Sequence, residues 1–252
     1  MKKNGKKYLV KNLKILINKP YAHRGIFDNK IIPENTIESF KLALKNKYNI
    51  ELDVHLTLDN KIVVFHDNNL KRMCGINKII ENCTYEELRQ YKLLDTDHRI
   101  PLLTDVLKLV NGKVNLLIET KVKKYNAKLE KELSKILDYY SGFFAIQSFN
   151  FLSINWFKRN REKYIIGVLA SNFKNKKINL IYKIISKTLL FDKMLKVDFI
   201  SYDIRNTPNK YIIKKRKQKP ILGWTFKNIT ELDEKSKYFD IIIAESEILL
   251  KK

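Results

Sequence analysis

Glu51 and Asp53 stand two residues apart in NIELDVHL, a segment from Asn49 to Leu56 that is otherwise apolar. In an extended chain alternate side chains share a face, so both carboxylates point the same way. A second such pair, Glu119 and Lys121, closes the apolar run LLIETK. Glu51, Asp53 and Glu119 pointed into one cavity would repel one another unless protonated or bound to a cation. Three carboxylates and no thiol favour a hard, oxygen-liking divalent ion, Mg²⁺ or Ca²⁺. The bland alternative turns them outward to pair with nearby lysines. Two of the four histidines, His23 in AHRG and His66 in FHD, lie beside ionisable groups, where a general acid and a general base are needed. Arg24 and Lys121 would add positive charge suited to a phosphate. Trp224 is a candidate to wall or stack on a substrate, and a barrel-filling aromatic almost as readily. Gln147 reads equally as a structural amide. Glu245 is assigned a contact with Lys121 or with substrate hydroxyls. His98 reads as exposed loop, and His55 as a hairpin residue.

The elements that position these residues follow from the apolar pattern. Strand-like runs cover Pro20–Arg24, Asn49–Leu56, Ile62–Phe65, Val114–Thr120, Phe143–Phe149, Tyr164–Ala170, Val197–Tyr202, Ile221–Phe226 and Phe239–Glu245. Helix-like stretches separate most of them. One starts in a capping-box-like N-T-I-E, Asn35 to Glu38, and others open at Thr84 and Thr104. Further candidates are Lys128–Tyr139, Phe151–Arg161, Asn179–Leu190, Asn209–Lys217 and Thr230–Lys237. Ile62 follows Leu56 too soon for a parallel crossover, so that run returns as a hairpin through Asp59-Asn60. Eight strands then alternate with helices, the pattern and size of a TIM (β/α)8 barrel: α/β, a single domain over residues 20–250, with a short β-hairpin excursion after strand 2. A doubly wound sheet is the alternative, but no Gly-rich loop marks a first βα turn. In a TIM barrel chemistry sits at the C-terminal ends of the strands, where the polar groups named above collect.

The chain has 252 residues and a formal net charge of +23, from 50 basic and 27 acidic residues. Such a surplus attracts polyanions. The lysines are scattered, however, and no zinc-finger, RNP-type or basic-zipper pattern is present, so no specific nucleic-acid partner is expected. Weak association with an anionic membrane surface is. Cys74 and Cys83 have neither metal nor redox spacing, which reads as reduced thiols in a cytoplasmic protein, peripheral to membrane at most. Residues 1–19 read as a short amphipathic helix that packs on the barrel base in preference to resting on a membrane. No run approaches the roughly 18 apolar residues that span a bilayer.

The ordered segments AHRG, IPENTIESFKLAL, IELDVHLTLDNKIVVFHD, IPLLTDVL, LLIETK, QSF and GWT resemble the glycerophosphodiester phosphodiesterase family, from about Tyr21 to Glu245. The resemblance implies a TIM barrel, a divalent metal and hydrolysis of small-molecule glycerophosphodiesters to sn-glycerol 3-phosphate and an alcohol. By matching positions it implies His23 and His66 as the acid/base pair, Glu51, Asp53 and Glu119 as metal ligands, and Arg24 and Lys121 as phosphate contacts. Glu34 and Asn35, in PENT, would shape the mouth. Two departures bear on the alcohol pocket: the segment between Gly25 and Pro33 is not Gly-rich, and the last strand reads IIIAES. No large insertion after His66 is expected. A lysophospholipase D-like activity on lipid substrates is the near rival. A non-catalytic basic barrel that binds polyanions or membrane is the rival from another class.

Overall fold

The structure is a computed structural model that describes residues 13–173 and 179–251. Nine strands are present among them: β1 (Tyr21–His23), β2 (Asn49–Leu56), β3 (Ile62–Val64), β4 (Leu116–Thr120), β5 (Phe144–Ser148), β6 (Ile165–Ala170), β7 (Phe199–Asp203), β8 (Ile221–Phe226) and β9 (Ile241–Ala244). Their order is β1-β9-β8-β7-β6-β5-β4-β2-β3, with β1 also paired to β2. Eight strands thus close on themselves, and β3 hangs outside, antiparallel to β2 through Leu56↔Ile62 and Val54↔Val64. This is the expected TIM barrel with its hairpin excursion. The strands read as unbroken apolar runs because a parallel sheet covered by helices is buried on both faces. β2, β4 and β6 are buried almost throughout.

The chain packs as two compact units, one from Ala22 to Phe144 and the other from Ala145 onward with the stretch up to Tyr21. In the first unit, α1 (Ile37–Lys45) follows β1. Its cap is one residue later than the sequence suggests. Thr36 is the N-cap, its hydroxyl accepts from Ser39 N–H, and Ser39 completes the box in place of Glu38. After β3 come α2 (Lys71–Cys74), a 3-10 turn at Ile80–Asn82 and α3 (Tyr85–Leu88). Residues 65–102 form an excursion with a core of their own, built from Phe65, Leu70, Met73, Ile80, Leu88, Leu93 and Ile100. Then α4 (Leu103–Val110) leads into β4, and α5 (Lys128–Leu137) follows it.

The second unit carries α6 (Phe151–Asn160), α7 (Leu180–Thr188), α8 (Phe191–Leu195), α9 (Lys210–Arg216), α10 (Ile229–Lys235) and α11 (Ser246–Leu250) between and after its strands. Most of the predicted N-terminal helix lies outside the described residues. Its described end is helical over 13–16, where Leu16 is buried and its carbonyl accepts from the Tyr21 hydroxyl at 2.9 Å.

Candidate functional site

β2 and β4 run side by side in a register that sets Asp53 opposite Glu119. Glu51 sits one alternation earlier on the same face as Asp53. All three are buried, at 2%, 1% and 8% exposure for Glu51, Asp53 and Glu119, and each offers a carboxylate oxygen within 4.8 Å of the other two. The outward-facing alternative is thereby excluded. Lys121, the second residue past Glu119, returns to the same spot. Its Nζ lies 2.9 Å from Asp53 Oδ1 and 2.6 Å from Glu119 Oε1.

The β1 end shows how Arg24 joins its neighbour's face. The strand stops at His23, and Arg24 takes a left-handed backbone, φ 58°. Gly25 follows at φ 84°, and a Cβ there would meet Ser39 Oγ at 2.5 Å, so the turn packs its backbone directly on the cap of α1. From this turn the Arg24 backbone N–H donates to Glu51 Oε2 at 3.1 Å. Its guanidinium donates to Glu34 Oε1 at 2.7 Å and lies 3.5 Å from Asp53 Oδ2. Asn35, also left-handed at φ 57°, donates from Nδ2 to Asp53 Oδ2 at 2.9 Å and accepts from Asp53 N–H at 3.4 Å. Asn tolerates that conformation where most residues do not. Of the two PENT residues, Asn35 therefore holds Asp53 directly, and Glu34 reaches the acidic group only through Arg24.

His66 leaves β3 with Asp67, whose Oδ1 is 2.6 Å from the ring Nδ1. Arg72, on α2, then ties two carboxylates together. Its Nε donates to Asp67 Oδ2 at 2.6 Å, and its two terminal nitrogens donate to Glu34 at 3.0 and 2.6 Å. A planar guanidinium suits this double grip better than an ammonium. Nothing in its spacing marks Arg72 out among 50 basic residues. His55, read as a hairpin residue, is fully buried. Its Nε2 lies 3.3 Å from the His66 carbonyl oxygen and its Nδ1 3.8 Å from Glu81 Oε1. Period-two alternation from Glu51 and Asp53 already pointed it inward. His98 is half-buried in the turn that returns to Leu93.

The electrostatics follow from burial. Glu51 is pushed well above the usual carboxylate range, first by burial and then by the charges of Asp53 and Glu119. Burial likewise raises Glu119. Burial would raise Asp53 too, but Lys121, His66 and Arg24 outweigh it and hold its carboxyl well below the usual range. His23 is driven well below its ordinary value by burial and by the positive charge of Arg24, so its ring is neutral at neutral pH. An all-oxygen donor set, one member of which resists ionisation for want of positive charge, fits a hard divalent cation.

A cavity of about 290 Å³ opens beside Lys121, lined in part by Leu56, Asn60, Glu81, Lys124 and Glu130. Glu130 is 1% exposed and its Oε1 has no hydrogen-bond partner.

The remaining candidates belong to the second unit. Trp224, on β8, is half-buried, meets Phe149 edge-on at 5.6 Å, and has an unpartnered indole N–H. Gln147 is buried and accepts from Ser201 Oγ at 2.6 Å, a structural amide. Glu245 reaches Lys227 at 3.7 Å.

The model of the glycerophosphoryl diester phosphodiesterase family matches residues 23–238, a span that begins at His23 and encloses every residue of the acidic group. The chain belongs to this family. A glycerophosphodiester phosphodiesterase of Caldanaerobacter subterraneus subsp. tengcongensis is 35% identical over 162 residues, 59% of this chain and 65% of that protein. A human lysophospholipase D is 35% identical over 138 residues, 50% of this chain and 42% of that one. The matches span less than two thirds of the length of these curated relatives. Among solved structures, an Oleispira antarctica phosphodiesterase in complex with the product sn-glycerol-3-phosphate superposes with TM-score 0.76 over 91% of this chain and 94% of that one, at 18% identity. A Thermotoga maritima glycerophosphodiester phosphodiesterase gives 0.71, over 91% and 95%, at 23% identity. At these identities the structures show the shared fold.

Proposed function

We propose that this member of the glycerophosphodiester phosphodiesterase family hydrolyses small glycerophosphodiesters to sn-glycerol 3-phosphate and an alcohol, acting in the cytoplasm. The observation that carries the reading is the convergence of Glu51, Asp53 and Glu119 within 4.8 Å of one another. These three would hold a divalent cation, Mg²⁺ or Ca²⁺. When bound, it would supply positive charge to a non-bridging phosphate oxygen and to the charge that develops in the transition state.

The chain's own residues do the rest. Arg24 and Lys121, already drawn to the acidic group, turn part of their charge toward the phosphate. His23, neutral and buried, takes a proton from the attacking water as its oxygen bonds to phosphorus and the bond to the alcohol oxygen breaks. His66 donates a proton to the leaving alcohol from Nε2. Asp67 on its other nitrogen steadies the ring while it carries both protons, as a triad carboxylate does. Arg72 is a positioning residue that acts through Asp67. The alcohol occupies the cavity beside Lys121.

A second reading, hydrolysis of lysophospholipids, is favoured by the 35% identity to the human lysophospholipase D. An assay that measures glycerol 3-phosphate from glycerophosphocholine, and lysophosphatidate from a lysolipid, with Mg²⁺ and Ca²⁺ added separately, decides between them. Release from the water-soluble diester with either ion supports the main reading. Release from neither substrate would end both.

A further inference from the structure

The crossover between β6 and β7 carries an outer face that a protein in water has no reason to keep. Twelve large hydrophobic side chains are exposed among the described residues, and five of them fall between Leu180 and Met194: Leu180, Ile181, Ile184, Leu190 and Met194. Leu180 (70%), Ile181 (67%) and Met194 (76%) are nearly bare. On α7 the residues 180, 181 and 184 share one helical face. The chain turns at Leu189, φ 60°, and Leu190 before α8 and Met194 on it are exposed as well.

The opposite face is already occupied. Ser186 is buried and its hydroxyl donates to the Ser171 carbonyl at 2.8 Å. Tyr182 donates to the Phe149 carbonyl at 2.5 Å, and Phe191 lies 5.3 Å from the Phe151 ring. The two helices are thus anchored in the second unit by one side and bare on the other.

The charge on this crossover has one sign. Lys183, Lys187, Lys193 and Lys196 lie within it, and both of its acids are buried and paired, Asp192 with Lys215 and Lys219 and Asp198 with Lys158. An apolar stripe set among lysines is the pattern of a helix that rests in the plane of an anionic bilayer. Lysines near such a surface are attracted to its anionic headgroups. A second copy of the chain would bring lysines against lysines on a molecule already at +23, so self-association is disfavoured by the same charges that favour lipid. We propose that the face formed by Leu180, Ile181, Ile184, Leu190 and Met194 docks on an anionic phospholipid surface.

The test is co-sedimentation of the full chain with phosphatidylcholine vesicles and with vesicles that also contain phosphatidylglycerol, at low and at raised salt. The wild type binds the anionic vesicles, and part of that binding survives raised salt because the apolar side chains insert. A triple variant, Ile181→Gln, Ile184→Gln and Met194→Gln, lowers the salt-resistant partition at least about tenfold. A second variant, Lys183→Gln, Lys187→Gln and Lys193→Gln, lowers low-salt binding about a hundredfold. Five of the six side chains are exposed and Lys183 is half-buried, and thermal melts check that the fold is kept. A single Met194→Trp variant adds a readout that spares the other five: its fluorescence is quenched by brominated anionic lipid. Three results would overturn the proposal. They are failure of the wild type to bind anionic vesicles, wild-type partition by the Gln triple at raised salt, and a concentration-dependent dimer that the same triple abolishes.

Discussion

The strand ends of β2 and β4 hide charge, whereas α7 and α8 expose grease. In the first region three carboxylates, an ammonium and a guanidinium are packed where each residue is at most 15% exposed. In the second, side chains as apolar as any in the core stand 43% to 76% exposed. Both arrangements oppose the hydrophobic effect and both cost stability, the first through desolvation and the second through apolar surface left in water. The difference lies in what relieves each cost. Buried like charges call for a small cation of opposite sign held at fixed distances. Exposed apolar side chains among lysines call for a broad, fluid, negatively charged surface. Where a protein departs from the rule of apolar inside and charged outside, the form of the departure describes the missing partner.

Removing the histidines proposed as acid and base beside the first region gives the largest expected effect. His23→Ala and His66→Ala each lower kcat on a soluble glycerophosphodiester about a hundred- to ten-thousandfold. Wild-type turnover by either variant removes that imidazole from the chemistry. A smaller loss tests whether the charge network positions His66. Arg72→Met lowers kcat about ten- to a hundredfold with little change in KM and alters the pH profile, and Arg72→Lys does not restore it because the double grip on Asp67 and Glu34 is lost. Full rescue by lysine would reduce Arg72 to a diffuse charge.

Stability provides a subtler probe. The carboxyl of Glu51 is raised above its ordinary 4.5, so the folded state binds that proton more tightly than the unfolded state does. The sign is therefore destabilising: stability falls as pH rises from about 4.5 through the raised value. In chelator-treated protein at neutral pH, Glu51→Gln should raise Tm by a few degrees, since Gln keeps an acceptor for the Arg24 N–H and removes the repelled charge. A lowered Tm would mean that the ionised carboxylate is already satisfied by Arg24 and Lys121. The smallest effect concerns the second region. The Ile181→Gln, Ile184→Gln, Met194→Gln triple should leave turnover of a soluble diester within about twofold, as surface substitutions away from buried features usually do. A large loss on the soluble substrate would merge two regions that the comparison keeps apart.

Much of this was legible in the sequence because the relevant signals were periodic. Every strand lies where an apolar run announced it, Asn49–Leu56 and Ile221–Phe226 to the residue. The alternation Glu51-Asp53 fixed a shared face, and the short link before Ile62 required a hairpin. What stayed hidden depends on contacts distant in sequence or on backbone excursions. Asn35 was read as part of a helix start, whereas its positive φ turns it to Asp53 and passes the cap to Thr36. Arg72 owes its importance to Glu34, 38 positions away, and no local pattern records that. The compact core of residues 65–102 was read only in part: the helix opening at Thr84 was expected and α3 follows it, whereas α2 is four residues long, too short to show a period. Asn179–Leu190 was read only as a helix candidate and α8 not at all, since sequence gives a periodic stripe but not whether anything covers it.

The claim on which the account rests is that Glu51, Asp53 and Glu119 share one cation. Titration of chelator-treated protein with Mn²⁺, followed by calorimetry and by the electron paramagnetic signal of the free ion, tests it directly. The account predicts one site per chain in the wild type, competed by Mg²⁺ or Ca²⁺ and lost in Glu119→Gln, with phosphodiesterase turnover returning in step with occupancy. Turnover that persists at full rate after exhaustive chelation, or binding that Glu119→Gln leaves intact, would contradict it.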